Sequence, residues 1–294
     1  MIVVTTPTGA IGHRVLERIL RSPEEVRVIV RDPSRLPSQV RERVDVVQGS
    51  HGDERVVNQA FAGADSVFWL VPPDPQAKSV DAAYVDFTRP ACAAFKTKGV
   101  KRVVGISALG RGTPAAAHAG LVTASLKMDD LIASTGVDYR AVTNPSFMDN
   151  LLRQVEAIKK QGVFSLPISG DLKQPSACTR DIAATAATLL LDHSWTGVAS
   201  APVLGPEDLS YNDMATIMSD VLGKPVRFQQ IAGDALKARL VQRGMSEAMA
   251  QANEDMWTAY GEGLDTAERR TPQSTTPTSF RQWCEEELKP CVAA

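Results

Sequence analysis

Residues 2–20 read IVVTTPTGAIGHRVLERIL, and this stretch decides the fold of the 294-residue chain. The apolar run Ile2-Val3-Val4-Thr5 predicts a buried strand, and the apolar spacing from Ile11 to Leu20 predicts a helix. Between them, Gly9 and Gly12 let backbone N–H groups approach a pyrophosphate at the helix N-terminus. The stretch therefore predicts a phosphate-binding turn, with an ordinary glycine-containing strand-to-helix turn as the alternative. The members of the predicted turn are Thr6, Thr8, Gly9, Ala10, Ile11 and Gly12.

The alternation of strand and helix continues through the first half of the chain. Apolar runs that predict further strands lie at 26–30, 44–47, 66–71, 102–106 and 139–143. Runs unbroken by polar residues are typical of strands buried on both faces of a parallel sheet. We predict an α/β protein with a doubly wound parallel sheet, a Rossmann fold. Residues 1–145 would form the dinucleotide-binding core, and residues 146–294 a smaller, mostly helical substrate-side region packed on it as one unit.

Composition excludes several classes of protein. Lys and Arg number 32 against 34 Asp and Glu, a net charge of -2, so the basic excess that drives nucleic-acid binding is missing. No apolar run reaches the roughly 18 to 20 residues that a membrane helix needs. The four cysteines form no CxxC pair, which favours a reducing, cytoplasmic setting and gives no metal or disulfide framework. We therefore expect neither a nucleic-acid partner nor a membrane partner.

The end of the second predicted strand bears on the choice of cofactor. It reads Val30-Arg31-Asp32-Pro33-Ser34-Arg35. An NAD site usually has an acidic residue at this strand end for the ribose 2′-hydroxyl, whereas Arg31 offers a planar fork for a 2′-phosphate. Arg35 is a further candidate, as are His13 and Arg14 beside the glycine turn, and solvated surface cations are the alternative for all four. The pattern favours NADP(H) over NAD(H).

The chain resembles the NmrA-like branch of the atypical short-chain dehydrogenases/reductases over residues 1 to about 230. The segments that carry the resemblance are the glycine turn and residues 28–33, 61–68, 99–107, 134–139, 144–151, 181–183 and 204–207. The resemblance implies an NAD(P)H-dependent oxidoreductase. Relatives of this kind reduce quinones and triarylmethane or azo dyes, act with a partner enzyme in aromatic polyketide tailoring, or bind a dinucleotide as redox sensors. It also allows a homodimer.

The sequence departs from the family pattern at three places. Thr6 replaces the first glycine of GxxGxxG, and Gly49-Ser50 stands where the family has Gly-Asp, so that Ser50 is expected at the adenine. The Tyr-x-x-x-Lys of typical members becomes Thr123-Ala124-Ser125-Leu126-Lys127. The first two departures raise the hypothesis of a degenerate cofactor site. Lys127 is expected to bind the nicotinamide ribose or to act as a general acid or base, with an exposed helix lysine as the alternative.

Loss of the tyrosine limits the chemistry. Hydride addition to a simple ketone creates an alkoxide that needs a proton donor, and the Thr123 hydroxyl is far too weak an acid. A quinone instead gives a delocalised phenolate, whose conjugate acid has a pKa of about 10 by analogy with tyrosine. The substitution therefore favours quinones or similar conjugated acceptors. His118, in the loop before Lys127, is either a proton donor on a lid or a solvated loop histidine.

Candidate pocket residues follow the predicted strands at their carboxyl ends, where such sheets bind ligands. Ser107 is expected to orient a substrate oxygen, although such a serine often only caps a turn. The further cofactor candidates are Val71, Asn144 and Pro145, and the substrate candidates are Pro72, Leu109, Phe147 and Met148. Core packing is the alternative for Phe147 and Met148.

These residues lead to one preferred function and one alternative. The preferred function is an NADPH-dependent oxidoreductase that reduces a quinone-like or polycyclic aromatic small molecule. The resemblance allows it to be the reductase component of a two-component anthraquinone hydroxylation system in polyketide biosynthesis, with a second-component partner enzyme. The alternative is an NmrA-type redox sensor that binds the dinucleotide without turnover.

Overall fold

Strands and helices alternate from residue 2 onward in the computed structural model, which describes residues 1–293. The strands are β1 (Ile2–Thr5), β2 (Val26–Val30), β3 (Asp45–Gln48), β4 (Ser66–Trp69), β5 (Arg102–Ala108), β6 (Asp138–Asn144), β7 (Ser146–Phe147), β8 (Val163–Leu166), β9 (Gln174–Ala177), β10 (Val198–Pro202), β11 (Asp208–Leu209) and β12 (Arg227–Gln230). The helices are α1 (Gly12–Ile19), α2 (Ser38–Arg41), α3 (Glu54–Ala60), α4 (Phe87–Lys98), α5 (Leu121–Ala133), α6 (Val155–Gln161), α7 (Thr179–Leu191), α8 (Tyr211–Leu222), α9 (Gly233–Gln242), α10 (Glu247–Gly261), α11 (Phe280–Trp283) and α12 (Lys289–Ala293).

The central sheet confirms the predicted doubly wound fold. Its seven strands are all parallel and lie in the order β10-β6-β5-β4-β1-β2-β3. The strand order reverses at β1, which pairs with β2 on one side and with β4 on the other. Ligands of open α/β sheets bind at the carboxyl ends of the strands beside such a reversal. The glycine turn after β1 therefore begins at the expected binding edge.

Helices cover both faces of the sheet because successive side chains of its inner strands are buried on both sides. Val4 belongs to a buried cluster with residues of α1 and α7, such as Val15 and Ile182. Val3 belongs to a second cluster on the opposite face, which includes Phe95 of α4 and others from α3 and α5. Two buried faces explain why the strands read as unbroken apolar runs.

The second half of the chain contributes to the sheet and also forms, together with the start of α5 and the loop before it, a further core. β10 pairs with β6 as an edge strand of the central sheet, and α7 packs against α1. The remaining elements enclose a third buried cluster that includes Phe164, Met218 and Trp283. The division at residue 145 stays a prediction, since α7 and β10 come after it and yet belong to the layers of the Rossmann core.

The helices around the sheet are short. α5 and α7 have 13 residues each and α10 has 15. Within residues 1–293, no helix combines the length and the apolar character needed to cross a lipid bilayer.

Candidate functional site

The glycine turn brings the start of α1 against the end of β1. A Cβ atom on Gly12 would lie 2.1 Å from the carbonyl oxygen of Thr6, a distance that no side chain can occupy. The same Thr6 oxygen accepts a hydrogen bond from Gly9 N at 3.0 Å, and Gly9 O accepts one from His13 N at 3.0 Å. Glycine at position 12 is therefore required for the close packing of α1 on the end of β1, which is the role of the third glycine in a dinucleotide-binding turn.

Thr6 adopts the backbone conformation that a glycine would adopt in its place. Its φ is 52°, and it is the one non-glycine residue with positive φ among residues 1–293. This conformation costs a residue with a Cβ atom about 1–2 kcal/mol and is rare for a β-branched one. The Thr6 hydroxyl is also buried without a hydrogen-bond partner. The first departure from the glycine pattern thus keeps the shape of the turn and introduces backbone strain.

The cations near the second strand fall into two groups. Arg31 and Arg35 are exposed, and no side-chain hydrogen bond or ion pair within the described chain engages the Arg31 guanidinium. Asp32 between them accepts hydrogen bonds from Ser34 N at 3.0 Å and Ser34 Oγ at 2.7 Å, and these bonds lower its pKa. Arg31 is therefore an exposed, unengaged cation at the end of β2, and its role as the partner of a 2′-phosphate stays a prediction.

Arg14 has a different position. Its guanidinium donates to Glu287 Oε1 at 2.8 Å and also to Thr179 Oγ1, which ties α1 to α7 and to the C-terminal helical segment. The expectation that Arg14 assists the 2′-phosphate is therefore not supported, because the side chain already serves tertiary packing. His13 bonds back to Gly9 O through Nδ1 at 2.9 Å.

The ends of β5 and β6 are joined by Asn144, which is 2% exposed. Its Nδ2 donates to Ser107 O at 3.0 Å and to Val142 O at 2.7 Å, while Leu109 N donates to Asn144 O at 3.1 Å. The Oδ1 atom of Asn144 is buried and has no partner. An unused acceptor at the carboxyl edge is consistent with a polar ligand there. Pro145, the next residue, is buried at the same edge.

Ser107 lies at this edge, and its hydroxyl donates to Asp129 Oδ2 of α5 at 2.5 Å. The hydroxyl of Tyr139 donates to the other carboxylate oxygen of Asp129 at 2.6 Å. This hydroxyl passes over Gly105, because a Cβ atom on Gly105 would lie 2.3 Å from the Tyr139 hydroxyl oxygen. Burial raises the pKa of Asp129 to about 6. This buried group fastens α5 to β5 and β6, and it engages the proton of the predicted catalytic serine.

Lys127 lies on the exposed side of α5, opposite Asp129. Its Nζ atom is 3.0 Å from Asp81 Oδ2 and 3.1 Å from Asp81 Oδ1, and both side chains are about half exposed. Asp81 belongs to the segment that joins β4 to α4. This segment also contains the predicted residues Val71, which is buried, and Pro72, which is exposed. The same segment is fastened to α10, since Ser246 N donates to Pro75 O at 2.9 Å and Ser246 Oγ to Ala77 O at 2.6 Å.

An open cavity of about 350 Å³ lies between this segment, the first turn of α5 and α10. Its lining residues are Val80, Ala117, His118, Gly120, Thr123, Asp255 and Thr258. Thr123, which stands in the place of the family tyrosine, faces this cavity and donates its hydroxyl to Ala116 O at 2.8 Å. His118 Nε2 lies 2.7 Å from Glu262 Oε2, directly after α10.

A second, smaller cavity contains the predicted substrate residues Phe147 and Met148, with Tyr211 and Trp257 also in its lining. Met148 is 2% exposed and also belongs to the buried cluster of the second half, so it serves core packing as well. Leu109, the remaining candidate after β5, is buried at 3% exposure. The substrate roles of these residues stay predictions.

Four residues of this edge escaped the sequence reasoning, namely His51, Asp81, Asp129 and Tyr139. His51 follows Ser50, packs edge-on against Trp69 and Phe87, and bonds to Leu70 O through Nε2 at 2.9 Å. Burial lowers its pKa to about 4, so it is neutral at pH 7. Asp129 could have been predicted from the sequence, because it is an acidic residue at a position on the apolar face of α5. No feature of the sequence around Asp81 indicates its contact with Lys127. Ser50 Oγ accepts from Gly52 N at 3.3 Å within the same turn.

The carboxyl edge fits a dinucleotide on three observations. Gly12 permits the close helix–strand packing of a dinucleotide-binding turn, Arg31 is an exposed cation at the end of β2, and Asn144 keeps a buried acceptor without a partner. Lys127 and Thr123 lie along the helix that borders the same edge. The arrangement can hold an anionic cofactor in front of a cavity that admits a second molecule.

Comparison with known proteins gives a consistent result. A profile of the NmrA-like family matches residues 1–283. The chain is 32% identical to the (4-alkanoyl-5-oxo-2,5-dihydrofuran-3-yl)methyl phosphate reductase of Streptomyces griseus, covering 97% of each protein. It is 28% identical to the NAD(P)H azoreductase of Xenophilus azovorans, covering 87% of this chain and 86% of the relative. The crystal structure of the NADPH-dependent quinone oxidoreductase QOR2 from Escherichia coli, complexed with NADPH, matches with a TM-score of 0.74 at 23% identity, covering 100% and 99% of the two chains.

Proposed function

This chain belongs to the NmrA-like family, and from that premise we propose that it reduces a quinone-like or polycyclic aromatic small molecule with NADPH. It is an NAD(P)H-dependent oxidoreductase of the quinone and azo reductase type, and the relatives that match most of its length include an NAD(P)H azoreductase and a quinone oxidoreductase. The relatives named for quinones and azo compounds act on conjugated acceptors.

One observation supports a conjugated acceptor in particular. Thr123 faces the open cavity at the place where a typical family member has its tyrosine, one helical turn before Lys127. An aliphatic hydroxyl cannot protonate an alkoxide near neutral pH. An acceptor whose negative charge delocalises over a ring needs less help, because hydrogen bonds and orientation then suffice. A quinone or a related aromatic acceptor meets this condition.

The proposed binding mode assigns each predicted residue a place. The cofactor phosphates would lie on the turn formed by Thr6, Thr8, Gly9, Ala10, Ile11 and Gly12, and the 2′-phosphate on Arg31 with Arg35. Ser50 would face the adenine and Lys127 the nicotinamide ribose. Val71, Asn144 and Pro145 would border the nicotinamide, with Ser107 nearby, and Pro72, Leu109, Phe147 and Met148 the substrate. When bound, the reduced dinucleotide supplies a hydride.

The test follows NADPH consumption by its absorbance with a panel of benzo-, naphtho- and anthraquinones. We expect catalytic turnover with at least one quinone, lost or strongly reduced in Lys127→Ala. Reduction of simple ketones but not of quinones would overturn the proposal on the acceptor. A titration of NADPH binding by fluorescence accompanies the assay. If that titration shows no saturable binding, the cofactor site is degenerate and the proposed function fails.

Two narrower roles are distinguished by the same experiment. In a two-component anthraquinone hydroxylation system, the reduced product would react with oxygen, so oxygen uptake would accompany NADPH consumption. In a redox sensor, tight dinucleotide binding would occur with no turnover on any acceptor. We favour the reductase because the chain aligns with named reductases over 97% and 87% of its length.

The expected assembly and location are also proposals. A homodimer is checked by light scattering of the purified chain, and a second-component partner enzyme by oxygen uptake that appears only when both proteins are mixed. A reducing, cytoplasmic location agrees with the buried free thiols of Cys92, Cys178 and Cys284.

A further inference from the structure

We propose that His118, held by Glu262, supplies the proton that the delocalised anion of the reduced conjugated acceptor takes up. This inference rests on the proposed function, because a proton is required only if an acceptor is reduced at this edge. It concerns His118, Glu262 and the open cavity that His118 shares with Thr123. The dinucleotide supplies the hydride, and the proposal concerns only the source of the proton.

The position of His118 supports this role. The histidine lies in the loop between β5 and α5, directly after the short helical turn Pro114–Ala117 and three residues before the start of α5. It lines the same cavity as Thr123, and that cavity has a volume of about 350 Å³, enough for part of a small ring system. An imidazole at the rim can therefore reach a ligand that the Thr123 hydroxyl contacts but cannot protonate.

The hydrogen bond to Glu262 decides which nitrogen donates. Nε2 lies 2.7 Å from Glu262 Oε2, so Nε2 keeps its proton and donates a hydrogen bond to the carboxylate. The remaining nitrogen, Nδ1, is then the one that exchanges a proton with a ligand. A carboxylate behind an imidazole fixes the orientation of the ring and its tautomer. Asp255, a second carboxylate of α10, lines the same cavity and adds negative charge around the imidazolium.

The other ionisable groups near the cavity are already engaged. Lys127, one turn along α5 from Thr123, is paired with Asp81, and the Asp255 carboxylate accepts from Gln251 Nε2 at 2.8 Å. Asp129 lies on the opposite face of α5 and is 3% exposed, bonded to Ser107 and Tyr139. His118 is half exposed and bonded to Glu262 through Nε2 alone, and within residues 1–293 its Nδ1 atom makes no hydrogen bond, so this nitrogen is open to a ligand and to water.

Electrons and protons balance in this step. The acceptor takes two electrons and one hydrogen as hydride from the reduced dinucleotide, which becomes oxidised. The acceptor oxygen, now negative, takes the proton from Nδ1 of the His118 imidazolium, and the N–H bond breaks as the O–H bond forms. His118 is left neutral, with its Nε2–H still bonded to Glu262, and solvent returns the Nδ1 proton before the next turnover.

The experiment compares His118→Asn and Glu262→Gln with the wild type on a series of acceptors whose reduced products differ in acidity. His193→Asn is the control, because His193 is also about half exposed and bonded to a carboxylate, Glu24 Oε1 at 2.9 Å, but it does not line the cavity and its Nδ1 atom is bonded to Arg102. For His118→Asn we expect kcat/KM to fall about 100-fold with the acceptor whose product is the weakest acid, and progressively less as the product becomes more acidic. For Glu262→Gln we expect kcat/KM to fall about 10-fold with the acceptor whose product is the weakest acid, and less with the others. This variant keeps the His118 ring in position but loses the negative charge behind it.

Two further readouts separate proton donation from a structural role. The NADPH dissociation constant, measured by fluorescence titration, should be the same in His118→Asn and in the wild type. Imidazole added to a His118→Gly variant should restore part of the lost rate. An equal loss with every acceptor, or no loss at all, would overturn the inference while leaving the proposed function intact. A wild type that consumes no NADPH with any acceptor would instead overturn the proposed function.

Discussion

The Nζ atom of Lys127 lies 3.0 Å from Oδ2 of Asp81, which joins α5 to the segment that leaves β4. Val80, the residue before Asp81, lines the open cavity, so the pair lies beside that cavity. Lys127 is also the residue predicted to bind the nicotinamide ribose. Because both partners are about half exposed, the pair itself contributes at most about 1 kcal/mol to stability. Its effect should therefore be on the position of the ammonium group rather than on folding.

The first prediction concerns this pair. Lys127→Met removes the ammonium group and should weaken NADPH binding about 10-fold. Asp81→Asn leaves the ammonium group of Lys127 without its partner, so that the group samples more orientations, and NADPH binding should weaken about 3-fold. Fluorescence titration measures both dissociation constants. Unfolding in urea should differ from the wild type by less than about 1 kcal/mol in either variant. Unchanged NADPH affinity in Lys127→Met would refute the ribose role of this lysine.

The second prediction concerns cofactor selectivity at Arg31. Arg31→Ala removes an exposed guanidinium that no described side chain engages, so folding should be unaffected. If Arg31 binds the 2′-phosphate, the dissociation constant for NADPH should rise about 10-fold, the size of one lost charge-assisted contact, and that for NADH should stay the same. Arg35→Ala is the comparison and should have a smaller effect. Equal weakening of both dinucleotides would argue against a 2′-phosphate contact.

The third prediction concerns Gly12. A Cβ there would lie 2.1 Å from the Thr6 carbonyl oxygen, which is backbone and cannot move aside. Gly12→Ala should lower the free energy of unfolding by about 3 kcal/mol and abolish saturable NADPH binding. Gly261→Ala is the control, because no atom lies within 4 Å of the position that its new methyl group would take, at the end of α10. Urea unfolding that gives the same stability for Gly12→Ala and the wild type would contradict the close approach.

The fourth prediction concerns the strain at Thr6. Thr6→Gly should raise the free energy of unfolding by about 1 kcal/mol, because glycine adopts a φ of 52° without a steric cost. Thr6→Ala removes only the unpartnered hydroxyl and the β-branch, so its gain should be smaller. Chemical denaturation of the three proteins makes the comparison. A loss of stability in Thr6→Gly would mean that the threonine side chain contributes more than its conformation costs.

The fifth prediction concerns pH and Asp129. The carboxyl has a pKa of about 6 in the folded protein against an ordinary value of 3.8, because it is buried. Between these values the folded chain holds a proton that the unfolded chain has lost, so stability falls as pH rises through this window and then levels off. About two pKa units correspond to roughly 3 kcal/mol. Asp129→Asn has no such proton, so its stability relative to the wild type should improve by that amount between about pH 4 and pH 7.

The control for this pH effect is the neighbouring Asp130, whose side chain is 66% exposed. Asp130→Asn should keep the same direction of pH dependence with a slightly smaller amplitude, because the Asp130 charge makes only the smallest contribution to the raised pKa of Asp129. Stability is measured by urea unfolding at closely spaced pH values. A constant difference between Asp129→Asn and the wild type across the window would show that the buried carboxyl does not titrate there.

Local patterns were sufficient to predict most of the central sheet. The unbroken apolar runs predicted β1 to β6 because a strand covered by helices on both faces has no polar side. The glycine turn was predictable for a similar reason, since only glycine permits the close approach found at Gly12. β10 was not among the predicted strands, because Val198-Ala199-Ser200 is exposed at the sheet edge and lacks an apolar signal.

The sequence by itself determined the fold class, the phosphate turn and the edge of the sheet where a ligand would bind, because these depend on residues close together in the chain. Tertiary structure alone decided which side chains meet. Lys127 and Asp81 are 46 residues apart, His118 and Glu262 are 144 apart, and nothing local to either partner indicates the other. Tertiary structure also decided that the hydroxyl of Ser107 donates to Asp129, because a buried carboxylate of α5 requires hydrogen-bond donors from the adjacent strands.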